Sequence, residues 1–195
     1  MIQNLQLQAD YIKENFIAAQ VVEPIANGNL IIYVAPEKIS EFLKFLLDDQ
    51  NLSFKILLDV FGADLLEIRL PRFEVIYNLL SLKLNNRVTV KVALAEGEKV
   101  SSVAEIFSSA GWFEREAFDM YGIVFANHKD LRRILTDYEF EGYPLRKDFP
   151  LTGYKEVRYD ETQQKVIYEP IKLMQEFRNF DFEMPWEGVS KETKK

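Results

Sequence analysis

Residues 87–94 read RVTVKVAL. Val88, Val90, Val92 and Leu94 alternate with Thr89, Lys91 and Ala93, the two-residue period of a strand with one face in a core. Two more apolar segments precede it, 54–70 and 73–84. Pro71-Arg72 and Asn85-Asn86 separate the three as turns. Gly62 interrupts the first segment and marks a bulge or bend there. Three consecutive strands are therefore expected across 54–94.

Further toward the N-terminus, Val21–Ile25 and Leu30–Val34 flank Asn27-Gly28, a strong short hairpin signal. Residues 2–16 suit a short amphipathic helix through Leu5, Ile12 and Phe16. Pro36 fits a first helical turn, and Ile39, Phe42, Leu43 and Leu46 follow at helical spacing, predicting a helix over 36–50. On the other side of the strands, Ser102 and Glu105 have capping-box spacing for a helix ending at Gly111. A second helix is expected from Trp112 to Tyr121, with Gly122 past its end. The order helix, two strands, helix, three strands, helices makes residues 1–125 a two-layer α+β domain.

Beyond Phe125 the periodicity is largely lost. The stretch 138–186 holds 11 of the chain's 26 aromatic residues, interleaved with charges and with Pro144, Pro150, Pro170 and Pro185. Disordered tails are poor in aromatics, and long strands and helix caps are missing, which argues against a self-contained second domain. Ordering a residue costs about 1–2 kcal/mol, and burying a large apolar side chain yields about 1.5–3 kcal/mol. An arm with little self-contact exposes too much of its own apolar surface to offset that cost alone. Residues 126–195 are thus expected to be a long extended C-terminal arm whose aromatic rings find cover on another protein.

Composition narrows the chemistry. The chain has 195 residues and a net charge of −7, with 11 Lys+Arg against 17 Asp+Glu in residues 1–126 and 13 against 14 in 127–195. Neither part offers the basic excess that phosphate neutralisation requires, so no nucleic-acid partner is expected. There is no cysteine, hence no disulfide, thiolate zinc site, thiol catalysis or cysteine-ligated iron–sulfur cluster. The longest apolar run, Leu30–Ala35, is far shorter than the roughly 20 residues of a membrane helix. The N-terminus resembles neither a secretory signal nor a transit peptide. A soluble protein, used where it is made, is the expectation. The eight glycines lie at least eleven positions apart, which leaves no nucleotide-cradling loop. His128 is the only imidazole and stands outside any catalytic motif; no spacing picks out a carboxylate pair for acid–base work.

The densest cluster of charge is 112–135, WFEREAFDMYGIVFANHKDLRRIL. Glu114, Arg115, Glu116 and Asp119 sit on the second predicted helix, with Arg115 and Asp119 spaced to pair. Arg132-Arg133 and Arg146-Lys147, followed by Asp148, lie close to acids and aromatics. Surrounding charge near zero favours salt bridges across a protein interface over phosphate binding.

These residues resemble a known family. Glu114-Arg115-Glu116, Asp119-Met120-Tyr121-Gly122, His128 and Asp130-Leu131-Arg132-Arg133-Ile134-Leu135 are similar to the signature of the 30-kDa subunit family of respiratory complex I, NADH:quinone oxidoreductase. The likeness continues through Gly142, Pro144-Leu145-Arg146-Lys147-Asp148-Phe149-Pro150, Gly153, Glu169-Pro170, Gln175-Glu176-Phe177-Arg178, Phe180-Asp181 and Pro185-Trp186-Glu187. Lys129 departs from it, since many relatives have proline there.

The resemblance implies an α+β domain with a mixed β-sheet and an arm lying across neighbouring subunits. It implies a non-redox structural and assembly role in the hydrophilic arm of the complex, which couples NADH oxidation and quinone reduction to proton translocation. The implied partners are the D, B and I subunits of complex I. Flavin, iron–sulfur clusters and quinone would be held by partner subunits, with no catalytic, cofactor or metal site in this chain. The implied location is peripheral, on the cytoplasmic side of a bacterial inner membrane, or on the matrix side of the mitochondrial one for an organelle-encoded chain. The alternative is a scaffold in a related membrane-bound hydrogenase or formate-hydrogenlyase-type complex. A stand-alone enzyme with a carboxylate pair is the third reading.

Glu114, Arg115, Glu116, Asp119, His128, Arg132, Arg133, Arg146, Lys147 and Asp148 are accordingly the expected interface residues. In this view 112–135 is a docking hinge, in which the helix closes the domain, Gly122 turns the chain, and a strand-like Arg132-Arg133 stretch launches the arm.

Overall fold

The computed structural model describes residues 5–22 and 29–175. The chain divides into two compact units at Leu151/Thr152.

In the first unit, helix α1 (Leu5–Asn15) leads into strand β1 (Gln20–Val22), and β2 (Leu30–Tyr33) returns antiparallel to it. That pairing is the expected one; its Asn27-Gly28 tip lies outside the described residues. Pro36 opens a 3-10 turn that runs into α2 (Ile39–Asp48). Then come β3 (Ile56–Asp64), β4 (Phe73–Ser81) and β5 (Asn86–Leu94) as consecutive antiparallel partners. Asn85 turns into β5 with φ +51°, a conformation that asparagine tolerates. The sheet order is β1-β2-β5-β4-β3, and the β2–β5 pair is parallel. The sheet is therefore mixed.

Alternation in β5 decides which face is buried. Val88, Val90 and Val92 are fully buried, with Leu30, Ile32, Val75, Tyr77 and Leu79 beside them on the same face. Against that face α2 sets Ile39, Phe42, Leu43 and Leu46, and α1 adds Ala9 and Ile12. The opposite face is mixed: Ile31, Phe61 and Ile76 lie there beside polar residues that bond across strands. Asn78 donates to Asp59 (2.8 Å), Thr89 donates to Asn78 (2.7 Å), and Lys91 reaches Glu74 (3.3 Å).

Three local expectations fail. No helix forms over 102–111. Strand β6 (Lys99–Ser101) instead pairs in parallel with β7 (Val124–Ala126), and helix α3 (Ala110–Tyr121) starts where the first helix was expected to end. The reason is a stronger partner, since Ser102 bonds the buried Glu114 and leaves Glu105 to an exposed ion pair with Lys129. Gly62 makes no bulge; the register shift lies between Leu57 and Asp59. Gly62 is instead where Tyr121 of α3 closes on the sheet, because a Cβ there would stand 2.7 Å from the Tyr121 ring. Arg132-Arg133 is irregular backbone and not a strand.

The sequence sets a limit at residue 125, whereas the first compact unit runs on to Leu151. Side chains of α3 and of the β3–β4 connection hold 127–151 in place.

The second unit contains a hairpin that periodicity did not reveal: β8 (Lys155–Asp160) and β9 (Lys165–Pro170) are antiparallel. Its tip lacks a glycine. The Asp160 carboxylate builds the turn by accepting from the backbone N–H of Thr162 (2.8 Å) and Gln163 (3.0 Å). Val157 faces Tyr168 and Tyr159 faces Val166, so the four large side chains share one face of the ribbon. All four are exposed or half-exposed; on the other face Arg158 bridges Glu169 through two bonds of 2.8 and 3.2 Å.

Candidate functional site

Helix α3 is short of local support, having no side-chain cap at Ser109. What fixes it is a set of ionic groups on its inner and lateral faces, and these also organise 102–103 and 127–151. On the inner side Glu114 is fully buried. One carboxylate oxygen accepts from the Val103 N–H (2.7 Å) and the other from the Ser102 hydroxyl (2.6 Å). Burial raises its pKa above the ordinary carboxylate value, while these two bonds and the nearby His128 oppose the rise.

His128 Nδ1 accepts from the Asp130 N–H (3.0 Å), which leaves the proton on Nε2. Nε2 then donates to the Gly111 carbonyl (3.1 Å) and stands 3.8 Å from Glu114. The lone imidazole thus ties the 127–130 turn to the start of α3, a positioning task.

The sign of the linkage at Glu114 follows from its raised pKa. The group takes up its proton more readily folded than unfolded, so its ionisation costs stability as pH rises through and above the ordinary glutamate range. In Glu114→Gln that component of the stability–pH slope is expected to vanish. Urea unfolding at stepped pH checks it, and an unchanged slope would contradict the assignment.

Asp119 is the second buried carboxylate of α3. One oxygen accepts three backbone N–H groups, from Ile134 (2.9 Å), Leu135 (2.7 Å) and Thr136 (2.9 Å). The other accepts the Thr136 hydroxyl (2.5 Å) and Arg133 Nη1 (2.8 Å). Burial opposes its ionisation, but the Thr136 hydroxyl and the three N–H groups prevail and hold the carboxyl well below the usual range. The expected Arg115–Asp119 pair does not form, because Asp119 points into this N–H cradle. Arg115 instead donates to the carbonyls of Arg132 (3.1 Å) and Arg133 (3.0 Å). Arg133 further donates to the Gly142 carbonyl (3.0 Å) and lies over Phe140 and Tyr143. Glu116 is exposed, and among the described residues the Arg132 side chain reaches only its neighbour Asp130 (3.0 Å).

A second knot lies at the end of α3. Gly122 adopts φ +75°, and a Cβ would come within 2.6 Å of Tyr143 and 2.7 Å of Arg146. Arg146 donates to the Tyr121 carbonyl (2.7 Å), pairs with Glu96 (2.7 Å) and stacks over Phe73 and Tyr143. Gly122→Ala is therefore expected to lose about 1–3 kcal/mol through backbone strain and overpacking, readable in a denaturant melt. A change below about half a kcal/mol would mean the contact yields.

Next to it Arg72 grips the buried Asp64 through two bonds (2.9 and 2.8 Å) and reaches Asp148 (2.9 Å) and Glu96 (3.4 Å). The Lys147 backbone N–H also donates to Asp64 (2.9 Å), while its side chain is exposed. Arg72 and the N–H bonds from Lys147 and Leu66 (3.0 Å) bring Asp64 down to about 2, against the opposing effect of burial.

The structure thus gathers Asp119 with Arg133, Arg115 with the Arg132 and Arg133 carbonyls, Glu114 with His128, and Arg146 with Asp148 through Glu96 and Arg72. Asp64, Arg72, Glu96 and Thr136 were not singled out as site residues in the sequence, and Ser102 was read there only as a helix cap. Arg72 reads there as part of a turn, and only the fold brings it to residue 148. Among the described residues no group of three or more His, Cys, Asp or Glu side chains is arranged to hold a metal ion. No described helix is long and apolar enough to cross a membrane. The buried carboxylates Asp64, Glu114 and Asp119 each have their hydrogen-bond partners within the chain, an arrangement suited to holding a shape.

Known proteins share this arrangement's sequence and fold. The C subunit of NADH-quinone oxidoreductase from Hyphomonas neptunium is 56% identical over 163 residues, 84% of this chain and 80% of that one. Its namesake from Maricaulis maris is 51% identical over 189 residues, 97% and 94% of the two chains. Among solved structures, a trypsin-resistant fragment of Nqo5 superposes with a TM-score of 0.56 at 29% identity, covering 65% of this chain and all of the fragment. A component of an archaeal membrane-bound sulfane sulfur reductase superposes with a TM-score of 0.62 over 75% of this chain and 85% of that one, but at 24% identity, a likeness of fold alone. The family model described as "Respiratory-chain NADH dehydrogenase, 30 Kd subunit" matches residues 32–155, which hold the whole ionic framework from Asp64 to Asp148. The chain belongs to the family of the 30-kDa subunit of respiratory-chain NADH dehydrogenase.

Proposed function

We propose that this chain is the structural and assembly C subunit of a complex I NADH:quinone oxidoreductase, an enzyme to whose turnover it contributes shape and no redox group. The observation that carries this reading is identity of 51% spread over 97% of the chain with a relative of that name. It favours complex I over the hydrogenase-type assembly. Absence of cysteine removes thiolate ligation of clusters. In this reading the iron–sulfur clusters, the flavin and the quinone belong to partner subunits. The partners are the D, B and I subunits, and the chain sits with them on the cytoplasmic side of a bacterial inner membrane, or on the matrix side in a mitochondrion.

Residues 126–195 are the docking segment of this reading. Its early part carries Tyr138 (82% exposed) and Leu151 (83% exposed). Its hairpin presents Val157, Tyr159, Val166 and Tyr168 on one face. Large apolar side chains in such density are the composition of interface cores. Cross-linking mass spectrometry on the membrane-bound complex tests it. Cross-links from 138–175 to the D, B or I subunits are expected, and a complex that assembles fully without this chain refutes the role. Arg146→Ala is expected to lower the yield of assembled complex while leaving quinone reduction per assembled complex unchanged. Normal assembly with lost quinone reduction would assign the chain a different part.

A further inference from the structure

Among the eight arginines described, six have a carboxylate within ion-pair distance: Arg69, Arg72, Arg132, Arg133, Arg146 and Arg158. Arg87 is exposed at the start of β5. Arg115 is different, because it is half-buried and fixed yet has no such carboxylate among the described residues. Its Nε and Nη2 donate to the carbonyls of Arg132 and Arg133, and its guanidinium lies 5.2 Å from the centre of the Trp112 ring. Two neutral carbonyls and an indole hold the cation in place without neutralising it. Nη1 meets no acceptor among the described residues. Beside it Trp112, the largest side chain of α3, is 63% exposed. Residues 112, 115, 116 and 119 share one side of the helix, and Asp119 anchors that side to the 134–136 backbone, where Leu135 is also 63% exposed.

We propose that Trp112 and Arg115 form a preorganised anchor for an acidic segment of another protein subunit, an Asp or Glu carboxylate docking on Arg115 Nη1 beside an apolar residue packed on the indole. The inference rests on the reading of this chain as a subunit of a larger assembly and names the chemistry of one partner segment. Tryptophan and arginine dominate binding hot spots because one covers a large area with few rotors and the other offers a planar fork to carboxylates. Here Arg115 is fixed before binding, since the backbone that takes its two bonds runs into the segment clamped by Asp119, and its guanidinium lies against the indole. The surroundings choose a carboxylate over a polyanion. Glu116 shares this side of α3, while Asp130 pairs with Arg132 and Glu105 with Lys129. A phosphate-rich membrane surface or nucleic acid would meet these acids as well, whereas one side-chain carboxylate need not.

The test uses the intact complex. The photoreactive residue p-benzoylphenylalanine replaces Trp112, the complex is purified from membranes and irradiated, and the cross-linked peptide is sequenced. A cross-link to another subunit within a few residues of an Asp or Glu is expected. In parallel, Arg115→Gln and Trp112→Ala complexes are washed in rising salt. Tenfold or faster release of this chain than in the wild type is expected from each. A cross-link confined to this chain, to lipid or to a second copy overturns the proposal, and so does wild-type release from both variants. If the unsubstituted chain fails to co-purify with any complex, the subunit reading itself falls, an outcome distinct from either of these.

Discussion

Asp119→Ala is expected to lower the unfolding free energy of the first unit by about 3–5 kcal/mol, the loss seen when one member of a buried ionic network is removed. The cause is local and countable. Three N–H groups, the Thr136 hydroxyl and the Arg133 guanidinium all lose one acceptor, the carboxylate that gathers them. Asp119→Asn separates charge from shape. The amide fills the same space, yet turns an N–H₂ group toward donors, so most of the loss is expected to persist. Hydrogen exchange reports where the damage lies. Amides 134–136 should lose protection before those of β4 and β5, because the strap opens while the sheet remains closed. Equal loss across the whole unit would mean that Asp119 supports the core rather than the strap.

Acid should reproduce that lesion without a mutation. The native Asp119 and Asp64 carboxyls titrate below their ordinary value, Asp64 at about 2. Their contribution is complete above the unfolded aspartate range and is lost as pH falls through it toward the native values. Stability should therefore fall steeply below about pH 4 in the wild type and less steeply in Asp119→Asn.

The second large effect is expected at Arg72→Ala, also about 3–5 kcal/mol in urea unfolding. Arg72 supplies both bonds that neutralise Asp64, whose side chain is 2% exposed, and removing it strands that charge in the sheet. The stack over Phe73 and the reach to Asp148 disappear together with it. Arg72→Lys should recover less than half of the loss, since a single ammonium cannot match the two-pronged geometry. Adding Asp64→Asn to Arg72→Ala should restore part of the stability, because the stranded charge is then gone. A double variant as unstable as the sum of both single variants would show that the two residues act independently.

Strand positions were readable because their cause is local. A period of two in 87–94 reflects which side of one strand is wet, and Val88, Val90, Val92 and Leu94 lie in the core. The α2 stripe and the left-handed Gly122 were readable on the same ground, as was the family signature, which is a matter of residue order alone. The 102–111 helix failed because Ser102 had a partner twelve residues away with greater claim on it than Glu105. The β8–β9 hairpin escaped notice because an aspartate, not a glycine, makes its turn. The ionic framework was legible as a list of charged residues and illegible as a set of pairs. Arg115 stood four places from Asp119 and bonded carbonyls instead; Arg72 stood far from Asp148 and bonded it. A carboxylate's partner is decided by where burial leaves it and which donors the fold carries there, over separations of up to 83 residues in the case of Asp64 and Lys147. Elements and family follow from neighbours along the chain, but the clamps that hold residues 127–151 in place follow from neighbours in space.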